Sequence, residues 1–115
     1  MNFLKETIED IAESGHQPTD IVFIGSALSG HCCTWAEFCV LADFEYDNGH
    51  GAQEVAEDLI VVFSDGNTMW RVEYDGSEDW EYGRPFTAGG APQTIKRLAV
   101  SKSEIGWMTL AALNK

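Results

Sequence analysis

The stretch Leu59-Ile60-Val61-Val62-Phe63-Ser64-Asp65-Gly66-Asn67-Thr68-Met69-Trp70-Arg71-Val72-Glu73-Tyr74-Asp75-Gly76-Ser77-Glu78-Asp79-Trp80-Glu81-Tyr82 decides the fold of this 115-residue chain. Its first five residues are apolar on both faces, which suits an interior strand. Residues 68–74 then alternate, with Trp70, Val72 and Tyr74 on one side and Met69, Arg71 and Glu73 on the other. Trp80 and Tyr82 likewise oppose Asp79 and Glu81. Asp65-Gly66 and Asp75-Gly76 separate these runs, and Asp-Gly between alternating segments is a strong hairpin signal. Three antiparallel strands in succession are expected, with residues 95–100 as a fourth. Trp70 and Trp80 are expected in the core, as cross-strand aromatics usually are.

On the N-terminal side, Leu4, Ile8, Ile11 and Ala12 fall at helical spacing, with Asn2 as cap and Gly15 as stop. Lys5, Glu6, Glu9, Asp10 and Glu13 then face away. Residues 21–24 form a short apolar run, a fifth strand or a sheet edge. Thr34-Trp35-Ala36-Glu37 is a capping box that opens a helix reaching about residue 42. On the C-terminal side, Ser101-Lys102-Ser103-Glu104 offers a second box for a terminal helix carrying Ile105, Met108, Ala112 and Leu113. The expected fold is a single α+β domain over residues 1–115: a four-stranded antiparallel meander, residues 59–100, packed by two to three helices.

The same central region carries the charge. Residues 37–81 hold thirteen carboxylates against one base, Arg71, and this excess equals the formal net charge of −12. Segregated acidity makes a directed negative field, which steers basic partners in. It argues against binding nucleic acid or anionic membranes directly, since both require Lys and Arg. No apolar run approaches the roughly 20 residues needed to span a bilayer. MNFLKETIED is amphipathic and acidic, unlike a signal peptide. Three cysteines, two of them adjacent, make no secreted disulfide framework. The reading is a cytoplasmic monomer of a host bacterial cell.

Carboxylates two apart on a strand share a face at about 6.6–6.8 Å. Glu73 with Asp75, Asp79 with Glu81, and Asp43, Glu45 and Asp47 have this spacing. With Glu78, these rows resemble a nucleic-acid backbone in charge and pitch. The alternative is an ordinary solvated sheet face. A rival reading takes Asp43, Glu45, Asp47 and Glu54 as positions 1, 3, 5 and 12 of an EF-hand-like calcium loop. Against it, Glu45 is long for its position, Asn48 stands where Gly is wanted, and strand follows Glu54 where a second helix is required. His31, Cys32, Cys33 and His50 are ligand types without a recognised metal spacing. No nucleophile or phosphate-loop motif is present, so no enzyme, metal or cofactor is expected.

Residues 42–63, with Glu73-Tyr74-Asp75-Gly76-Ser77-Glu78-Asp79-Trp80-Glu81-Tyr82, resemble a family of small uncharacterised proteins of phages and mobile elements. In size, acidity and α/β character the chain also resembles anti-CRISPR proteins, the type I-C class among them. That resemblance implies a non-catalytic inhibitor acting as a DNA mimic. Its partner would be a basic nucleic-acid-binding complex, such as a CRISPR surveillance complex. A phage interaction or assembly protein without inhibitory role is the remaining alternative.

Overall fold

A computed structural model describes residues 1–47, 52–74, 76–83 and 92–115. Among them are three helices, α1 (Phe3–Glu13), α2 (Trp35–Leu41) and α3 (Leu110–Leu113). The six strands are β1 (Ile21–Gly25), β2 (His31–Cys32), β3 (Ile60–Phe63), β4 (Thr68–Tyr74), β5 (Ser77–Gly83) and β6 (Gln93–Thr94). They form one open mixed sheet in the order β5-β4-β3-β1-β2-β6. The protein is therefore α+β. No helix among the described residues is long and apolar enough to cross a membrane.

The central hairpins form where the Asp-Gly signals lie. Between β3 and β4, Gly66 has φ 89° and its amide donates to the Phe63 carbonyl at 2.9 Å. Tyr74 pairs with Ser77 across the next turn, where Gly76 has φ 86°. Asp75 lies outside the described residues. β1 is not an edge: it pairs antiparallel with both β3 and β2. Its register slips between Ile21 and Phe23, as in a bulge, which leaves Val22 exposed. Gly25 is required at the β1–β2 turn, because a Cβ there would lie 2.8 Å from Cys32 Cα and closer still to the His31 carbonyl oxygen.

Residues 95–100 do not form a fourth meander strand. The Asn114 side chain accepts the amides of Lys96 and Arg97 at 2.5 and 2.9 Å and donates to the Arg97 carbonyl at 2.9 Å. Those backbone groups are thus withdrawn from any ladder. The segment instead crosses residues 54–56, with Ala99 bridging Val55. The sheet's sixth strand is the shorter β6, paired parallel with β2.

Both N-terminal caps form as expected. Asn2 accepts the Lys5 amide at 2.9 Å, and Thr34 and Glu37 close a full capping box. The second box forms only in part. Ser101 donates its amide to Glu104, at 2.8 Å, but Arg97 also holds that carboxylate and no helix follows. Gly106 lies tight against Ala52 and Gln53, and Trp107 sits at φ 60°, which breaks a helical path. Ile105 is consequently exposed, and α3 starts later, capped by Thr109.

The core joins Phe3 and Ile11 of α1, Phe38 of α2, Val61, Phe63, Met69 and Trp80 of the sheet, and Leu98, Leu110 and Leu113. α1 is rotated from the expected stripe: Phe3, Glu6, Thr7 and Ile11 are buried, whereas Ile8 is exposed.

Candidate functional site

The rotation of α1 has an electrostatic cause. β4 and β5 pair Arg71 with Trp80 and Trp70 with Glu81, so the two tryptophans lie on opposite faces. Trp80 reaches the core and donates Nε1 to Thr7 Oγ1 at 3.0 Å. Trp70 does not join the core; it is half-buried on the far face. The core side of β4 is the one bearing Met69 and Arg71.

The Arg71 side chain is fully buried. Its Cζ lies 5.0 Å from the ring centroids of both Phe3 and Trp80 and 5.8 Å from that of Tyr46. Nη2 donates to Glu78 Oε1 and to Tyr46 Oη, each at 3.1 Å, and Nη1 lies 3.8 Å from Glu6 Oε1. Tyr46 in turn donates to Glu6. A buried guanidinium needs such partners, because leaving it uncompensated is costly. The helix therefore turns Glu6 inward, against its polar-face assignment. Burial pushes the Glu6 and Glu78 carboxyls and the Tyr46 hydroxyl above their ordinary values.

Glu78 must be removed from the expected docking face. It is only 3% exposed and accepts the amides of Glu54 and Val55 at 2.6 and 3.1 Å as well as Arg71. In the β5 alternation it lies on the Trp80 side. Its role is to bind the 54–55 backbone to the sheet.

The other expected site residues separate into two groups. Asp43, Glu45 and Asp47 are exposed on the segment that runs beside α1's start. Asn2 bridges Glu45 there, and Asp43 accepts from Asn2 Nδ2 at 3.1 Å. Glu73, Asp79 and Glu81 are exposed on β4 and β5. Nine carboxylates from residues 37–81 are exposed among the described residues, and the only base of that stretch is interior.

Among the described residues the exit helix of an EF-hand is absent. Glu54 runs extended beside Val100, whose amide donates to its carbonyl at 3.0 Å, where the motif requires a helix. Glu54 Oε2 accepts the Asp47 amide at 3.2 Å. Asn48 and His50 lie outside the described residues. Only Glu6, Asp10 and Asp79 bring three ligand-type atoms within 4.8 Å of one another among the described residues. The sequence reading missed this trio because it placed α1's acids toward solvent. Desolvation, followed by Asp79 and Glu6, pushes Asp10 up to about 6.

Nucleophile-like groups are engaged elsewhere. Ser14 Oγ lies 2.9 Å from His16 Nδ1, and His16 Nε2 lies 2.7 Å from Asp65. The Ser14 hydroxyl proton goes to the Ile11 carbonyl at 2.7 Å. Burial pushes the Cys33 thiol up to about 12, so it is no thiolate at neutral pH.

Comparison with protein-family models, with curated proteins and with solved structures returned no match.

Proposed function

We propose that this chain is a non-catalytic, anti-CRISPR-like inhibitor. Its exposed carboxylates occupy the basic DNA-binding groove of a host defence complex and exclude target DNA. The observation that carries this reading is the fate of Arg71. The one base in the acidic stretch is withdrawn into the core with Glu6 and Glu78, so among the described residues no Lys or Arg of that stretch offsets its exposed carboxylates, and the cation at the docking acids is the N-terminal ammonium, 3.4 Å from Glu45. The docking charges are Asp43, Glu45 and Asp47 on one segment and Glu73, Asp79 and Glu81 on the β4–β5 hairpin. No cofactor takes part. The partner is a basic nucleic-acid-binding complex, for which a type I CRISPR surveillance complex is the first test.

The experiment is competition between this protein and target duplex DNA for the purified complex. Like charges forced together in a desolvated interface cost several kcal/mol. A variant combining Glu45→Lys, Asp47→Lys, Glu73→Lys and Glu81→Lys is expected to lose competition while its melting stays near that of the parent. Glu9→Lys with Glu13→Lys, on the exposed side of α1, is expected to change little. Undiminished competition by the fourfold variant would sink the proposal. Binding to the complex without displacement of DNA would favour a plain interaction protein.

A further inference from the structure

The β4–β5 hairpin turns one face to solvent on which an apolar row runs beside an acidic one. Cross-strand pairing sets Trp70 opposite Glu81, Val72 opposite Asp79 and Tyr74 opposite Ser77. Directly opposed residues of an antiparallel pair hold their Cβ atoms about 4.5–5.5 Å apart, so each apolar group has a polar neighbour within reach. Between the rows lies a cleft of about 380 Å³ lined by Val72, Tyr74, Ser77, Asp79, Trp80 and Glu81. That volume admits an extended side chain and lies at the low end of small-molecule sites, which run from about 300 to 1,000 Å³.

Two features say what fits. Tyr74 is 85% exposed, an aromatic face held in a regular strand and turned to water. Among the described residues no ion pair reaches Asp79 or Glu81, and both are exposed. The complementary group is a cation with a planar face and an apolar stem. Arginine has all three properties, whereas lysine is a strongly hydrated point charge.

We propose that this cleft seats one arginine side chain of a protein partner, its stem along Val72, its guanidinium between Asp79 and Glu81, and its plane on Tyr74. The inference rests on the reading of the acidic surface as a dock for a basic complex, and it names the anchor that the complex supplies. It also moves the expected recognition from charge alone to charge combined with stacking.

The test is a nuclear magnetic resonance titration with a blocked Gly-Arg-Gly tripeptide, its Gly-Lys-Gly counterpart serving as control. Saturable shifts are expected at Val72, Tyr74, Asp79 and Glu81, with the lysine peptide weaker. Tyr74→Ala should weaken the arginine peptide about two- to fivefold, the equivalent of an exposed cation–π contact of about 0.5–1 kcal/mol. Glu81→Gln should weaken it independently. Both positions are exposed, so the variants are expected to fold, and melting curves check this. Equal shifts from both peptides scattered over all carboxylates would overturn the proposal, as would a titration indifferent to both substitutions. Failure of the underlying reading is separable. If the peptide seats in the cleft but the protein never competes with DNA, the anchor stands and the inhibitor reading falls. If the protein competes with DNA, undiminished by Tyr74→Ala with Glu81→Gln, and takes no peptide, the cleft falls alone.

Discussion

Arg71 and Glu78 lie on the core side of adjacent strands, with Nη2 3.1 Å from Oε1 and both side chains nearly or wholly inaccessible to water. The pair links three parts of the chain, because Glu78 also takes the amides of Glu54 and Val55. An acid that composition alone assigns to the surface is therefore a cross-link of the interior.

Breaking that pair is expected to be severe. Removing one partner of a buried ion pair costs about 3–5 kcal/mol, since the other charge stays buried and uncompensated. Glu78→Ala and Glu78→Lys should each lower the denaturation midpoint sharply, whereas Glu81→Lys, three residues along on an exposed position, should stay within about 1 kcal/mol of the parent. Urea unfolding of the three variants checks the contrast. Similar midpoints for all three would contradict the buried position of Glu78.

The acids around α1 set a pH dependence of unusual sign for carboxylates. Asp10 is raised from 3.8 to about 6, so the folded state holds its proton more tightly than the unfolded chain. The associated stabilisation is complete below 3.8 and lost as pH rises through about 6. Glu6 and Glu78 are also raised and act in the same direction. Asp10→Asn is expected to raise the melting temperature at about pH 8, with the gain shrinking as pH falls through about 6. A gain that grows on acidification would reverse the assignment.

Gly25→Ala is expected to disrupt the inner sheet. Its added methyl group would overlap the His31 backbone, which cannot move without parting β1 from β2. Overpacking of this kind costs about 1–3 kcal/mol. Gly15→Ala meets no neighbour within 4 Å and should suffer only the strain of φ 84°. Thermal melts of the two variants separate backbone collision from backbone preference.

Duplex DNA should not bind this protein. Phosphate contacts require clustered Lys and Arg. The chain has seven such residues in all, of which Arg71 is buried and Arg97 is engaged by Glu104. A gel shift at sub-micromolar protein in about 0.15 M salt would contradict the proposed mode of action, which also weakens with salt because surface charges are screened beyond about 8 Å there.

The hairpins and helix caps were legible because each is specified by residues close in sequence. Asp65-Gly66, Asn2 and Thr34-x-x-Glu37 act within a turn or two of the chain. The failures came where distant groups outbid local pattern. Asn114 withdraws the amides of Lys96 and Arg97 from strand pairing, and nothing within residues 95–100 announces that. Arg71 draws Glu6 inward and so rotates a helix whose own periodicity favoured Ile8. A readable hint existed: a lone base between core strands needs carboxylates, and Phe3, Thr7 and Ile11 form an alternative stripe beside Glu6 and Asp10. For the docking face, alternation places Asp79 and Glu81 outward, but the same alternation puts Glu78 with Trp80 and Glu73 on the Arg71 side, where it is exposed next to the hairpin turn.

The parallel pairing of β2 with β6 bears on how the chain assembles. His31 meets Gln93 from about sixty residues away, whereas β3, β4 and β5 join through turns of a few residues. Closing a longer loop costs more entropy, and non-local contacts slow folding. Synthesis therefore delivers α1 first, yet its Phe3 and Glu6 find their cage only after the hairpins exist. A ribosome-held chain stopped before residue 93 would contain every partner of Arg71 and still lack the outer rim. In pulse-labelled refolding, the amides of β4 and β5 should gain protection before those of β2.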